Sequence, residues 1–234
     1  MFKIAAFAVP ARSAAHIFRT RCADCAVQRL FTNMVKKHVL VAAADGSEDI
    51  ELVGVVDVLR RADIEVTVAS VNASTLTLAQ QTKIVADDLI GNVIKKEFDC
   101  IVIPGGLKGA ENLRDSPQLL SMLKQQQYEG KWIAAICAAP SLVLQSHGLL
   151  DGRVATCYPK FADTIPGYVA PEIGDNHDVV ISKQVITSRS PGTCLQFGLA
   201  IVATVCGLSK ANQVAEGMLV QFKKPSTNDF DFKD

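Results

Sequence analysis

The sequence predicts a layered α/β domain with one core and a mostly parallel sheet. Three observations carry this. A strand, a helix and a second strand follow one another within about 35 residues of Lys37, a βαβ unit that implies parallel pairing. Further short apolar runs, suited to strands buried on both faces, alternate with helical segments along the chain. And 49% of the 234 residues are apolar, enough for a full core and incompatible with global disorder.

The elements follow in order. His38-Val39-Leu40-Val41-Ala42-Ala43 is the first doubly buried strand. Asp45-Gly46 signals a turn, and Ser47 is placed to cap a helix running to about Arg61, with Glu48 and Asp49 near its positive end. Ile50, Val53, Val56 and Leu59 recur at helical spacing and read as its apolar stripe. Residues 65–71 form the next strand, and 76–85 a small β excursion. Residues 99–103 form a buried strand ended by Pro104-Gly105-Gly106. Residues 117–129 read as a helix and 131–136 as a strand ending at Cys137. A helix containing Leu142, Val143 and Leu144 follows Pro140. Residues 154–156 read as a short strand, 179–182 and 184–187 as a hairpin, 196–205 as a long apolar helix, and 212–220 as a shorter one. The domain thus covers 37–222, with 223–234 as a loose tail.

Residues 1–36 differ. Through Lys37 the chain carries seven basic residues against one acid, Asp24, although the whole protein is neutral, with 24 Lys and Arg against 24 Asp and Glu. This basic, Ala- and Arg-rich extension reads as a mitochondrial transit peptide or as a bare basic arm. The apolar segment 4–9 is too short for a secretory signal. Localisation is therefore expected to be cytoplasmic, mitochondrial or both. Zero net charge gives no electrostatic case for nucleic acid. No run reaches the ~18–20 apolar residues of a membrane-spanning helix. Seven cysteines, odd in number and irregularly spaced, suit free thiols in a reducing compartment.

The chemistry is expected at Cys137. In Ile136-Cys137-Ala138-Ala139-Pro140 an apolar strand meets small residues, as a sharp strand-to-helix elbow requires. A cysteine there sits at the carboxyl end of a strand, where ligands of open α/β sheets bind, and at a helix start that favours thiolate. A buried inert cysteine is the plainer alternative. Gly106 ends another strand, and its N–H together with that of Ala138 is suited to an oxyanion hole. Glu48 and Glu51 lie three apart on one helix face. An acid pressed into such a cleft has a raised pKa and can hold or shuttle a proton. Glu48 reads more simply as charge complementing the helix dipole. Cys22 and Cys25 form a CxxC without a second ligand pair, and the histidines at 16, 38, 147 and 177 show no metal spacing.

Six motifs in order, GSEDIE at 46–51, VDVLRR at 56–61, IPGG at 103–106, GAENL at 109–113, AAICA at 134–138 and TSRSPGT at 187–193, resemble the DJ-one family, the Parkinson-disease-associated deglycase group of the ThiJ/PfpI class, over residues 37 to 220. The likeness reads as nearest to animal members, as in an insect paralogue with an added arm. The resemblance implies a flavodoxin-like three-layer sandwich, a homodimer and no cofactor. It implies that Cys137 is a reactive cysteine oxidised readily to sulfinate and that Glu51 is a protonated acid bonded to it. Glu48 would be a second pocket acid, Gly106 and Ala138 the oxyanion donors, and Ser188, Arg189 and Pro191 pocket residues. It further implies turnover of reactive aldehydes such as methylglyoxal, repair of glycated proteins, and redox-sensitive chaperone action. Three positions depart from the family pattern. Cys157-Tyr158 stands where many members carry a histidine, which weighs against a Cys-His pair and proteolysis. Gln81 replaces an arginine that reaches a partner's pocket, and Ala139 replaces a glycine.

Overall fold

The computed structural model describes residues 36–170, 178–228 and 231–232. The basic arm of 1–35, with Cys22, Cys25 and His16, and the loop position His177 lie outside the described residues. The compact unit is Lys37–Asp234.

The sequence elements assemble in chain order as β1 (His38–Ala43), α1 (Asp49–Arg61), β2 (Glu65–Ser70), β3 (Thr75–Thr77), β4 (Lys83–Val85), β5 (Asp88–Leu89), α2 (Ile90–Val93), β6 (Cys100–Ile103), α3 (Leu107–Arg114), α4 (Pro117–Tyr128), β7 (Trp132–Ile136), β8 (Val179–Ser182), β9 (Val185–Ser188), α5 (Cys194–Cys206), α6 (Leu208–Gly217) and β10 (Ser226–Asn228). Among the described residues the main sheet has eight strands in the order β10-β8-β9-β7-β6-β1-β2-β5. Every pairing in it is parallel except β8 with β9. β3 and β4 form a separate antiparallel hairpin, the excursion read from residues 76–85.

The pleat explains the three layers. In β1, Val39, Val41 and Ala43 join one buried cluster with Leu52 and Val55 of α1 and Phe197 and Ala200 of α5. The alternate residues Leu40 and Ala42 join the other cluster, with Ala110 of α3 and Leu119 and Leu123 of α4. A strand covered on both faces needs apolar residues at both parities, which is what its sequence shows. No helix among the described residues is long and apolar enough to cross a membrane.

Several local expectations are corrected. Glu48, not Ser47, is the N-cap of α1, and its side chain makes no capping bond. Ser47 is buried and accepts the Ala44 N–H at 3.1 Å, stabilising the turn instead. The buried face of α1 is Leu52, Val55, Val56, Val58 and Leu59, together with Glu51, whereas Ile50 and Val53 are about half exposed at 56% and 49%. Residues 154–156 form no strand; only an isolated bridge joins Ala155 to Tyr168. After Pro140 the chain winds as a single π-turn, Pro140–Leu144, and a 3-10 turn, Gln145–His147, in place of an ordinary helix. Part of the tail expected to be loose, Ser226–Asn228, adds an edge strand beside β8.

Candidate functional site

Three strand ends meet at the carboxyl edge of the sheet. β7 delivers Cys137, β6 delivers Gly105 and Gly106, and the turn after β1 delivers the start of α1 with Glu51. Cys137 has φ +64, a left-handed conformation that costs a non-glycine residue of the order of 1–3 kcal/mol and persists only where its surroundings enforce it. Here they do. Its N–H donates to the Ser188 carbonyl at 3.0 Å, and its own carbonyl accepts the Tyr158 N–H at 2.7 Å. The elbow is therefore clamped between β9 and the segment leading to Tyr158, and the π-turn follows immediately. Such turns frequently mark functional sites.

Glu51 is fully buried. Its Oε2 accepts the Gly105 N–H at 2.8 Å. Its Oε1 has no well-aligned hydrogen bond, and the carboxyl group interacts with the Cys137 thiol. Gly105 lies between the two side chains: a Cβ there would stand 2.7 Å from both Cys137 Cβ and Glu51 Oε2. Gly106 adopts φ +80, and a Cβ on it would collide with the Gly46 carbonyl oxygen and lie 2.7 Å from Glu48 N. Glycine at both positions is what lets the backbone come this close to sulfur and carboxyl group.

The electrostatics correct one expectation. Burial pushes the Glu51 carboxyl up to about 7, against the Gly105 and Cys137 hydrogen bonds, with the negative charge of Glu48 adding to the rise. Burial also pushes the Cys137 thiol up, to about 12. The Glu51 charge and hydrogen bond act in the same direction, while the Gly106 and Ala138 N–H groups bonded to the sulfur pull it down. Position at the elbow alone does not acidify the thiol. The two groups share protons and titrate as a pair. The upward push of Glu51 on the thiol exists only while Glu51 is ionised. If the carboxyl group keeps its proton, the sulfur carries the charge with three donors around it: Glu51 O–H, Gly106 N–H and Ala138 N–H.

The other residues read from the sequence take supporting places. Glu48, half-buried, donates its N–H to the Gly105 carbonyl at 3.1 Å and so ties α1 to the strand end carrying the donors. Tyr158 contributes its backbone, and its side chain is 42% exposed. Ser188 is buried: its carbonyl holds the elbow, and its hydroxyl donates to the Asp178 carbonyl at 2.6 Å and contacts Thr193 Oγ1 at 2.7 Å. Arg189 lies 3.7 Å from Asp178, with its Nε buried and without a hydrogen-bond partner. Its charge also lowers the Cys157 thiol against burial. Pro191 opens a 3-10 turn, Pro191–Thr193, capped by Ser190. Gln81 lies in the β3–β4 turn with φ +70. Gly105, whose N–H donates to Glu51 Oε2, is a site residue that the sequence reading left out; its signal was the doubled glycine. Among the described residues no three His, Cys, Asp or Glu side chains are grouped to hold a metal ion.

A parallel α/β sandwich with a strained cysteine elbow, paired to a buried glutamate, defines the class of protein. Residues 37–204 match the DJ-1/PfpI family, and the chain belongs to it. It is 42% identical to Protein DJ-1 homolog B of Arabidopsis thaliana over 184 residues, 78% of this chain and 41% of that one. The chain thus spans less than half the length of this plant relative. It is 36% identical over 179 residues to a Caenorhabditis elegans protein named glutathione-independent glyoxalase DJR-1.2, covering 76% of this chain and 94% of that one. The crystal structure of Drosophila melanogaster DJ-1beta is similar with a TM-score of 0.74 and 36% identity, over 80% of this chain and all of that one. The insect likeness expected from the motifs is accompanied by equal or higher identity to a plant protein.

Proposed function

We propose that this chain is an oxidative-stress protein that converts reactive 2-oxoaldehydes such as methylglyoxal to 2-hydroxy acids, and removes the same adducts from glycated proteins, through Cys137. The observation that carries the reading is the clamped, left-handed Cys137 beside the proton-holding Glu51, with the Gly106 and Ala138 N–H groups on its sulfur. The Cys137 thiolate adds to the aldehyde carbon to give a hemithioacetal. Glu51 gives its proton to the alkoxide so formed, and its carboxylate then takes the proton from that carbon and returns it to the neighbouring one, while the N–H pair holds the enediolate oxygen. The resulting thioester is hydrolysed by water, releasing lactate and the thiol. One carbon is oxidised and its neighbour reduced, so the reaction needs no cofactor. The name of the nematode relative supports this assignment. Lactate production from methylglyoxal tests it: loss in both Cys137→Ala and Glu51→Gln is expected, and full activity in Cys137→Ala overturns it.

A second reading rests on the same donors. Peroxide oxidises Cys137 to a sulfinate whose oxygens take the places of the bound oxyanion, so that the site senses oxidants and acts as a redox-sensitive chaperone or scaffold. Homodimerisation is part of the proposal. It is supported by the exposed Ile50 and Val53 on the helix that carries Glu51, apolar surface of the kind that subunit contacts cover. Import of the chain into mitochondria by its basic arm, alongside a cytoplasmic form, is likewise proposed from composition.

A further inference from the structure

A second thiol is held beside the elbow. The segment after Arg153 crosses the ends of β7 and β9, and Cys157 is fixed from both sides. The Thr156 N–H donates to Thr187 Oγ1 at 3.0 Å, and the Tyr158 N–H donates to the Cys137 carbonyl at 2.7 Å. With standard backbone dimensions the second bond holds the two cysteine Cα atoms within about 7.5 Å of each other. A disulfide spans ~4.4–6.8 Å, within that upper bound. Both side chains pack on the same apolar cluster.

The two thiols differ in access. Cys137 is half-buried, whereas Cys157 has no exposed surface. A hydroperoxide therefore meets Cys137 first, and Cys157 is shielded from direct oxidation. Among the described residues the hydrogen bond of the Cys157 thiol is a long one, 3.4 Å, to the carbonyl of Tyr158, so turning its side chain breaks no short hydrogen bond. The Arg189 charge opposes the effect of burial on its ionisation. Cys194 is the competing thiol, since it senses the Glu51 charge. It packs against Gly54 in the layer opposite Cys157; Cys137 touches both layers, but the Cys194 thiol donates to the Ile50 carbonyl at 3.2 Å and gives up that bond to turn toward it.

We propose that Cys157 is the resolving thiol for Cys137, closing an intramolecular disulfide that intercepts oxidation before the sulfinate. This rests on the redox reading of Cys137 given above. A hydroperoxide transfers one oxygen to the Cys137 thiolate, giving the sulfenic acid and releasing water or alcohol after protonation. The Cys157 sulfur then attacks the Cys137 sulfur. The S–S bond forms, the S–O bond breaks, and the Cys157 proton leaves with the hydroxide as water. Without Cys157 a second peroxide carries Cys137 on to sulfinate. A dithiol reductant reopens the disulfide and restores both thiols.

The test is peptide mapping of the full chain after treatment with one equivalent of hydrogen peroxide and blocking of free thiols. The proposal expects a cross-linked peptide pair joining Cys137 to Cys157, about 2 Da lighter than the two reduced peptides. It also expects that Cys157→Ser and Cys157→Ala accumulate the sulfinate at Cys137, about 32 Da heavier, at several-fold lower peroxide than wild type. Sulfinate formed directly in wild type, at the same peroxide dose as in both variants and with no such pair, overturns the proposal while leaving the sensor reading intact. A pair joining Cys137 to Cys194 also overturns it. An unmodified Cys137 throughout overturns both.

Discussion

Replacing Glu51 by glutamine separates the charge of the buried acid from its shape. The amide keeps the size of the side chain and an oxygen for the Gly105 N–H, but it cannot ionise. In the unfolded chain the carboxyl group titrates at its ordinary value of 4.5, while in the folded protein it is pushed up to about 7. Between these values the folded state binds more protons than the unfolded state, so stability falls as pH rises. The contribution is fully present below about 4.5, declines by ~1.4 kcal/mol per pH unit, and is lost above about 7. The whole span is about 3 kcal/mol, a large share of the 5–15 kcal/mol typical of a domain. Urea unfolding of wild type and Glu51→Gln at pH 5, 6, 7 and 8 measures it. Because the other titrating groups are common to both proteins, the difference between them isolates Glu51. The variant is expected to gain about 3 kcal/mol on wild type between pH 5 and 8. A difference that does not change with pH refutes the burial of a proton at this position.

Two further outcomes follow from the same geometry. Gly106→Ala places a Cβ against the Gly46 carbonyl at φ +80 and is expected to cost more than ~2 kcal/mol and to abolish lactate formation from methylglyoxal; a variant with normal stability and turnover contradicts the role given to this turn. Residues 1–36 fused to a fluorescent reporter are expected to direct it to mitochondria, and a diffuse signal removes import from the account.

Much of this was legible because two local signals coincide. Doubly buried runs such as Val39-Leu40-Val41 declare strands of a covered sheet. Small residues after Cys137 and at Gly105-Gly106 declare turns too tight for side chains. What stayed hidden depends on contacts between distant segments. Ile50 and Val53 share helical spacing with Val56, yet the stripe that packs on the sheet is rotated toward Leu52 and Val55, and Glu51 turns inward with it. Charge pattern assigns Glu48 to the dipole, while for Glu51 the cleft position was already readable from its spacing to the strand end. The strand read at 154–156 has the right residues but finds side chains and a loop, Thr187, Ser182 and Gly167, in place of a neighbouring strand. The edge strand at Ser226–Asn228 carries no apolar alternation, since its pairing is made by backbone groups. For Cys137 the donors are local and visible in the sequence, whereas the burial and the Glu51 charge that push its thiol up come from the fold.

The most direct test is the pH dependence of alkylation at Cys137 itself, read by peptide mass in wild type and Glu51→Gln. Charge on the sulfur, stabilised by a proton that Glu51 retains, predicts alkylation at lower pH than burial of the thiol alone would allow. It also predicts a shift to higher pH in the variant, where an amide N–H is a weaker donor than a carboxylic O–H. Superimposable curves for the two proteins, or a curve that moves to lower pH in Glu51→Gln, would contradict it.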